Sequence, residues 1–224
     1  RSPRLRLQMM ARPTPYVDLA SLRHSQQDYV STVPGSSTRA RLRRTTRKLA
    51  DHFGPLACST AVTQPDRLAF FDELIRLHQA HWDEDAGEHG AFGDPRIVAF
   101  HRALIAASTS DAGVHLMRLE AGDATVGYLY HLVWRGTSCF YQAGIDYRQV
   151  GQAGSPGLLL LASAINEFLG NGFDRYELMA GHVDYKRAVA MAEGRMGWLS
   201  VDRVGWRARI VDLYRRRRGG EIVL

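Results

Sequence analysis

The sequence predicts an α/β protein with a mixed, mostly antiparallel central sheet flanked by helices. Three observations carry that prediction. From Gly113 to Ile145 the apolar period falls to two, in runs marked by Val114, Leu116 and Leu119, by Val126, Tyr128 and Tyr130, and by Phe140, Tyr141 and Ile145. Turn residues at Ala121-Gly122-Asp123 and Arg135-Gly136 separate them, so they read as a three-stranded antiparallel meander. Ser155-Pro156 then supplies an N-cap and a first-turn proline for a strongly apolar helix over Gly157 to Leu169, which Gly170-Asn171-Gly172 closes. Finally, Arg175 to Ala180 reads as a strand returning beside the meander, and a crossover through a helix makes that neighbour parallel.

The remaining elements alternate along the chain. Leu5 to Met10 is a short strand, and Ser21 to Val33 a helix ending near Pro34-Gly35. Ser37 or Thr38 caps a basic helix over Arg39 to Phe53, which Gly54-Pro55 stops. Leu56 to Thr63 is a strand. Pro65 opens a helix through Trp82, with Leu68, Phe71, Leu74, Ile75 and His78 at helical spacing. An acidic loop from Asp83 to Asp94 leads to a helix from Pro95 to Ser108. After the return strand come a short helix over Asp184 to Met191, a strand over Trp198 to Val204 and a basic terminal helix from Trp206. No internal repeat or low-complexity linker divides the chain, so residues 1–224 are expected to form a single domain.

Composition bounds the function. An apolar share of 45% and a charged share of 23% are ordinary for a folded protein. The longest apolar run, Leu158 to Ala162, is far short of the roughly 20 residues that span a bilayer. Arg1-Ser2-Pro3 lacks a methionine and reads as the trimmed start of a longer chain rather than a signal peptide. The two cysteines, Cys58 and Cys139, have no metal-ligand spacing and suit a reducing compartment, so a cytoplasmic location and no bound metal are expected. The net charge of +6 is local: Arg39 to Lys48 carries six basic residues and Arg215 to Arg218 four more, and the rest is slightly acidic.

Two segments carry chemistry. Arg148-Gln149-Val150-Gly151-Gln152-Ala153 precedes Gly154-Ser155-Pro156-Gly157, a glycine-bearing loop between a strand and a helix. Backbone amides and the helix dipole can hold a pyrophosphate there without a lysine. The bland reading is a loop whose glycines only permit the turn. Because the helix starts at Ser155-Pro156, after the Arg-x-x-Gly-x-Ala match, the amides of Gly154 to Leu158 compete with that loop as the anion site. The second segment is Glu177 to Lys186, where a strand gives way to a helix beside the first. There Tyr185 can give a proton to a departing thiolate, His182 or Asp184 can take one from an amine, and Lys186 can hold a phosphate or polarise a carbonyl. Against these stand a core tyrosine, a surface lysine and a helix-capping aspartate.

In chain order, the basic helix from Ser37-Thr38-Arg39 to Lys48, Leu77-His78-Gln79-Ala80-His81-Trp82, Ala99-Phe100-His101-Arg102, Gly154-Ser155-Pro156-Gly157-Leu158 and Gly181 to Tyr185-Lys186 form a set. This set resembles the CelD-like branch of the GNAT superfamily, related in fold to FemAB-type aminoacyl transferases, over roughly residues 14 to 190. The resemblance implies a GNAT fold, an acyl donor, acetyl-CoA or another acyl-CoA, at splayed central strands, and transfer to an amine. Within that expectation the candidate donor site is Arg148, Gly151, Gly154, Ser155, Gly157 and Leu158, the candidate chemical groups are Tyr185, Lys186 and His182, and His78, Trp82 and His101 are candidates for the acceptor pocket. Association of that branch with cellulose and exopolysaccharide clusters points to a saccharide or other small amine acceptor. Ala180 and His182 stand where relatives carry an arginine and an acidic residue, so acceptor recognition is expected to differ.

His78 and His81 share a helix face near Asp83, Glu84, Asp85, Glu88 and His89, but inward packing of His78 and Trp82 beside a solvated or pocket-gating loop accounts for them without a metal. The basic helix has Arg39, Arg43, Arg47 and Lys48 around a thin stripe of Leu42, Leu49 and Phe53. It serves as a solvated face, or grips RNA, anionic lipid or a phosphorylated acceptor. Two alternatives follow: a FemAB-like transferase using aminoacyl-tRNA, and a non-catalytic module of a polysaccharide-synthesis complex.

Overall fold

The period-two runs become three consecutive antiparallel strands, β3 (Ala112–Ala121), β4 (Ala124–Trp134) and β5 (Thr137–Ile145). The computed structural model describes residues 5–84, 90–109, 112–180 and 183–203. Expectations on Gly181 and His182, on the side chains of Trp82 and Asp184, on residues 85–89 of the acidic loop and on the basic terminal helix lie outside the described residues.

Before the meander come β1 (Leu5–Asp18), α1 (Leu19–His24), α2 (Tyr29–Thr32), α3 (Ser36–Phe53), β2 (Leu56–Thr60), α4 (Gln64–Glu84) and α5 (Pro95–Ala107). After it come α6 (Tyr147–Val150), a 3-10 turn (Gly151–Ala153), α7 (Pro156–Gly170), β6 (Arg175–Glu177), α8 (Val183–Arg187) and β7 (Ala192–Arg203). The sheet has the strand order β2-β3-β4-β5-β6-β1-β7. β5 and β6 run parallel, as the α7 crossover requires, while β1 pairs antiparallel with β6 and β2 with β3. This is an α/β architecture with a mixed sheet and flanking helices, consistent with a GNAT-like fold.

The chain divides into two compact units. Thr14–Gly194 holds the meander, α7 and both cores; the other comprises Arg1–Pro13 and Arg195–Leu224. In the smaller unit the Arg12 guanidinium lies 6.0 Å from the centre of the Trp198 ring.

Within Thr14–Gly194 each sheet face has its own core. Leu42 and Leu49 of α3 and Ile165 and Phe168 of α7 pack on the side of Met117, Val126 and Leu129. Phe71 and Leu74 of α4 and Ile105 of α5 pack on the side of Val114, Leu116 and Tyr130. α7 buries eight residues, from Pro156 to Phe168, around more than one side, so it is apolar beyond a single stripe. α4 comes very close to β5 at Gly144, where an added methyl would meet the Leu74 carbonyl oxygen at 2.5 Å.

Several boundaries differ from expectation. The strand expected over Leu5 to Met10 continues to Asp18 through Pro13 and Pro15, which cannot donate to a ladder; Pro15 contributes its carbonyl, which accepts from the Leu178 amide at 3.0 Å. The helix expected over Ser21 to Val33 is two, because Gln26 takes a φ of 53° and Asp28 caps a new start at the Ser31 amide. α3 begins at Ser36 with Gly35 as N-cap, ahead of Ser37 and Thr38. The return strand stops at Glu177, and Met179 follows with a φ of 57°.

Candidate active site

β5 and β6 stay together for three residue pairs only, Thr137 with Arg175, Ser138 with Tyr176 and Cys139 with Glu177. β5 then continues to Ile145, while the other strand turns away at Met179. A bulge falls at the same place: Phe140 faces His131 and Gln142 faces Tyr130, so Tyr141 is the extra residue. The result is a wedge whose vertex lies at Cys139 and Glu177 and whose β5 wall runs from Phe140 to Ile145.

Beside the open end of that wall lies the start of α7. The segment read as a glycine loop is instead α6 and a 3-10 turn, so part of its amide set is spent internally: Gln149 and Val150 donate to Asp146, and Gly154 to Gly151. Arg148 and Gly151 lie in these turns. Gly154 has a φ of 122°, which a residue with a side chain rarely adopts. Ser155 is the N-cap of α7 but its side chain does not cap, leaving the first-turn amides of Gly157 and Leu158 without that partner. Its hydroxyl instead accepts from Arg41 of α3 at 2.9 Å, its amide donates to the Thr45 hydroxyl at 3.1 Å, and Lys48 reaches the Gln152 carbonyl at 3.4 Å. Arg41, Thr45 and Lys48 are spaced along one face of α3, so the basic helix lies on the amide-bearing turn.

Tyr147, His81 and Tyr185 gather near this turn. The His81 and Tyr147 ring centres are 5.0 Å apart, and a Cβ built on Gly157 would lie 3.8 Å from the Tyr147 hydroxyl and 2.9 Å from Ile145 Cδ1. Tyr185 is 47% exposed, and burial of its hydroxyl, with Tyr147 adding to it, pushes its pKa up, so it is protonated at neutral pH. Lys186 is only 7% exposed; its ammonium donates to the carbonyls of Ala180 at 2.9 Å and Met179 at 3.4 Å, and lies 5.9 Å from the centre of the Phe140 ring. Burial brings its pKa down to about 8. Lys186 thus holds the backbone that turns away from β5.

The expected acceptor residues lie on the α4 and α5 side of the sheet. His78 is buried and its Nδ1 donates to the Ala143 carbonyl of the β5 wall at 3.1 Å; burial lowers its pKa, against a smaller raising effect of that carbonyl. His101 is buried deeper in the same core, with Nδ1 2.9 Å from the Tyr130 hydroxyl and Nε2 3.2 Å from that of Tyr141. Among the described residues no cluster of three or more His, Cys, Asp or Glu is placed to hold a metal, and no helix is long and apolar enough to cross a membrane.

Residues 36–187 match the family model described as the acetyltransferase (GNAT) domain. The chain belongs to this family. The match to the GNAT domain starts with α3 and ends with α8, so it contains the whole wedge. Among solved structures, this GNAT chain is similar to the C-terminal domain of a putative lysylphosphatidylglycerol synthetase from Agrobacterium fabrum, at 15% identity and a TM-score of 0.54, covering 98% of this chain and 69% of that one. It is similar to L-PGS from Bacillus licheniformis at 12% identity and a TM-score of 0.55, covering 97% and 67%, and to FemX at 9% and 0.52, covering 90% and 63%. The chain therefore spans about two thirds of these structures, and at such identities the likeness is one of fold. No curated protein matches the sequence. Membership of this family makes the GNAT chain a transferase of the acyl kind.

Sequence reasoning missed two parts of the site. Arg41, Thr45 and Lys48 carried a usable signal in their shared helix face, but nothing in the sequence joins that face to Ser155. Glu177 carried none beyond its place at the end of a strand.

Proposed function

We propose that this chain moves an acyl group from an acyl-CoA, acetyl-CoA first, to a small or saccharide amine. The observation that carries the reading is the convergence of uncapped α7 amides with Arg41 and Lys48 beside the β5 wedge. The residues present fit such a donor: Gly157 has no side chain to fill the space in front of Ile145, and two cations and two amides suit a pyrophosphate. The donor, when bound, supplies an activated thioester carbonyl.

The chain's own groups do the rest. Gly157, Leu158, Arg41 and Lys48 hold the phosphates, and the β5 wall orients the acyl arm. The amine nitrogen bonds to the carbonyl carbon as the carbon–sulfur bond breaks, the Tyr185 hydroxyl gives its proton to the leaving sulfur, and a base takes one from the amine. His182, in the segment after the return strand, is the candidate for that base, although relatives carry an acidic residue there. The two free cysteines fit a cytoplasmic setting, and the CelD-like resemblance favours an amino sugar as acceptor.

One observation favours a second reading, transfer from aminoacyl-tRNA: Arg43, Arg44 and Arg47 are exposed on α3 and free to meet a nucleic-acid backbone. Calorimetry with acetyl-CoA, set beside filter binding of bulk aminoacyl-tRNA at 50 and 200 mM salt, separates the two. Micromolar acetyl-CoA binding with weak tRNA retention supports the acyl-CoA reading. Tight, steeply salt-dependent tRNA binding without acetyl-CoA binding overturns it.

A further inference from the structure

The carboxylate at the vertex of the wedge is incompletely satisfied. Glu177 is 7% exposed, and Arg175 places both its Nε, at 2.7 Å, and an Nη2 on the same oxygen, Oε1. A fork aligned on both oxygens would satisfy the pair; here Oε2 is buried and has no hydrogen-bond partner among the described residues. Arg175 is held in turn, its guanidinium 3.5 Å from the centre of the Tyr16 ring, and Tyr16 is the residue paired with Glu177 across β1 and β6. The arrangement fixes Glu177 in one orientation with one acceptor oxygen unused, and a buried ionised oxygen without a donor is unfavourable unless something supplies one.

Cys139 stands opposite Glu177 as the last parallel pair, and the Glu177 charge is among the causes that raise its thiol pKa, after burial. The thiol beside the carboxylate is therefore neutral, against a smaller lowering effect of Arg175. Beyond this pair the strands part, and that is where the acyl arm must end if the reading above holds. An alkylammonium brings three donors to such an oxygen and can surrender one proton to it.

We propose that Glu177 receives the ammonium group of the acceptor at the vertex where β5 and β6 part, Oε2 accepting first its hydrogen bond and then its proton. One N–H bond of the ammonium breaks, an O–H bond forms on Oε2, and the freed nitrogen lone pair is the nucleophile; the second proton, shed from nitrogen after attack, goes to the base of the acyl-transfer step. Arg175 is the positioning residue: by holding Oε1 with both nitrogens it leaves Oε2 as the unused acceptor. The proposal rests on the amine-transfer reading and gives its acceptor half a residue on β6.

The test uses methylammonium as the smallest probe and needs no donor. Thermal unfolding of the wild type and of Glu177→Gln is followed in rising methylammonium chloride, against tetramethylammonium chloride at equal ionic strength. The wild-type midpoint should rise saturably, by about 3–6 °C at ten times the half-saturating concentration, with no such rise for the donor-less ion or for the variant. Equal responses of wild type and variant, or no response specific to methylammonium in the wild type, overturn the assignment. Should Glu177→Gln fail to fold, the contrast between the two ions on the wild type decides alone. Acetyl-CoA calorimetry on the same samples keeps the failures apart: a missing ammonium response with normal acetyl-CoA binding sinks only the Glu177 role, whereas the converse sinks the donor reading.

Discussion

Arg41 of α3 donates a 2.9 Å hydrogen bond to the hydroxyl of Ser155, the N-cap residue of α7. That contact puts a guanidinium where the α7 dipole is already positive, an arrangement that is unfavourable by itself and favourable once an anion lies between them. Truncation to Arg41→Ala should weaken acetyl-CoA binding about 3–10-fold at low salt and less at high salt, with stability changed by no more than about 0.5 kcal/mol. Calorimetry at two ionic strengths reads this; an affinity unchanged at low salt would remove Arg41 from the site.

Lys186 gives a pH signature. Its pKa falls from an ordinary 10.5 to about 8 through burial. Between these values the unfolded chain holds a proton that the folded one has shed, so this group makes stability rise with pH across that window. Below about 8 both states are charged and the contribution is flat. Lys186→Met should abolish this part of the slope in urea unfolding from pH 7.5 to 10.5; parallel curves for variant and wild type would contradict it.

At the acid end the histidines under α7 act the same way. His115 is brought down to about 4 by burial and then by Arg67, and His131, fully buried with Nε2 2.8 Å from the Tyr176 hydroxyl, is lowered too. As pH falls below about 6.5, the unfolded histidines take protons that the folded ones refuse, so stability is lost toward pH 4. His115→Leu should make the loss shallower by about 1.4 kcal/mol per pH unit between those limits. An unchanged acid slope in denaturant unfolding would count against a neutral buried His115.

Close approach of α4 to β5 makes Gly144 sensitive. Gly144→Ala places a methyl 2.5 Å from the Leu74 carbonyl oxygen and 3.0 Å from its Cα, both backbone. Relief requires α4 to move, at a cost of about 1–3 kcal/mol, read as a lower urea midpoint with the same m value. A variant as stable as wild type would show that α4 shifts freely.

The legible parts of the fold were those fixed by neighbours in sequence. The meander, the Pro156 start of α7 and the Gly54 stop of α3 each depend on a few adjacent residues, and each lies where the sequence puts it. Features set by distant partners were not legible. β1 runs past its prolines because β6 pairs with Tyr16 to Asp18, and the glycine loop coils into α6 because Asp146 caps it at the Gln149 amide. The site divides in the same way. Gly157 and Leu158 were readable from the cap, whereas the seating of Arg41 and Lys48 beside them, and the half-satisfied Glu177, depend on tertiary packing.

The central claim is that the first turn of α7 holds the donor's phosphates. Calorimetric titration of acetyl-CoA into the wild type and Gly157→Asp tests it most directly, because the substitution sets charge and bulk against the Gly157 and Leu158 amides while unfolding curves check that α7 is intact. The account predicts micromolar binding by the wild type and a loss of at least about 100-fold in the variant. Equal affinities, with both proteins folded, would contradict it.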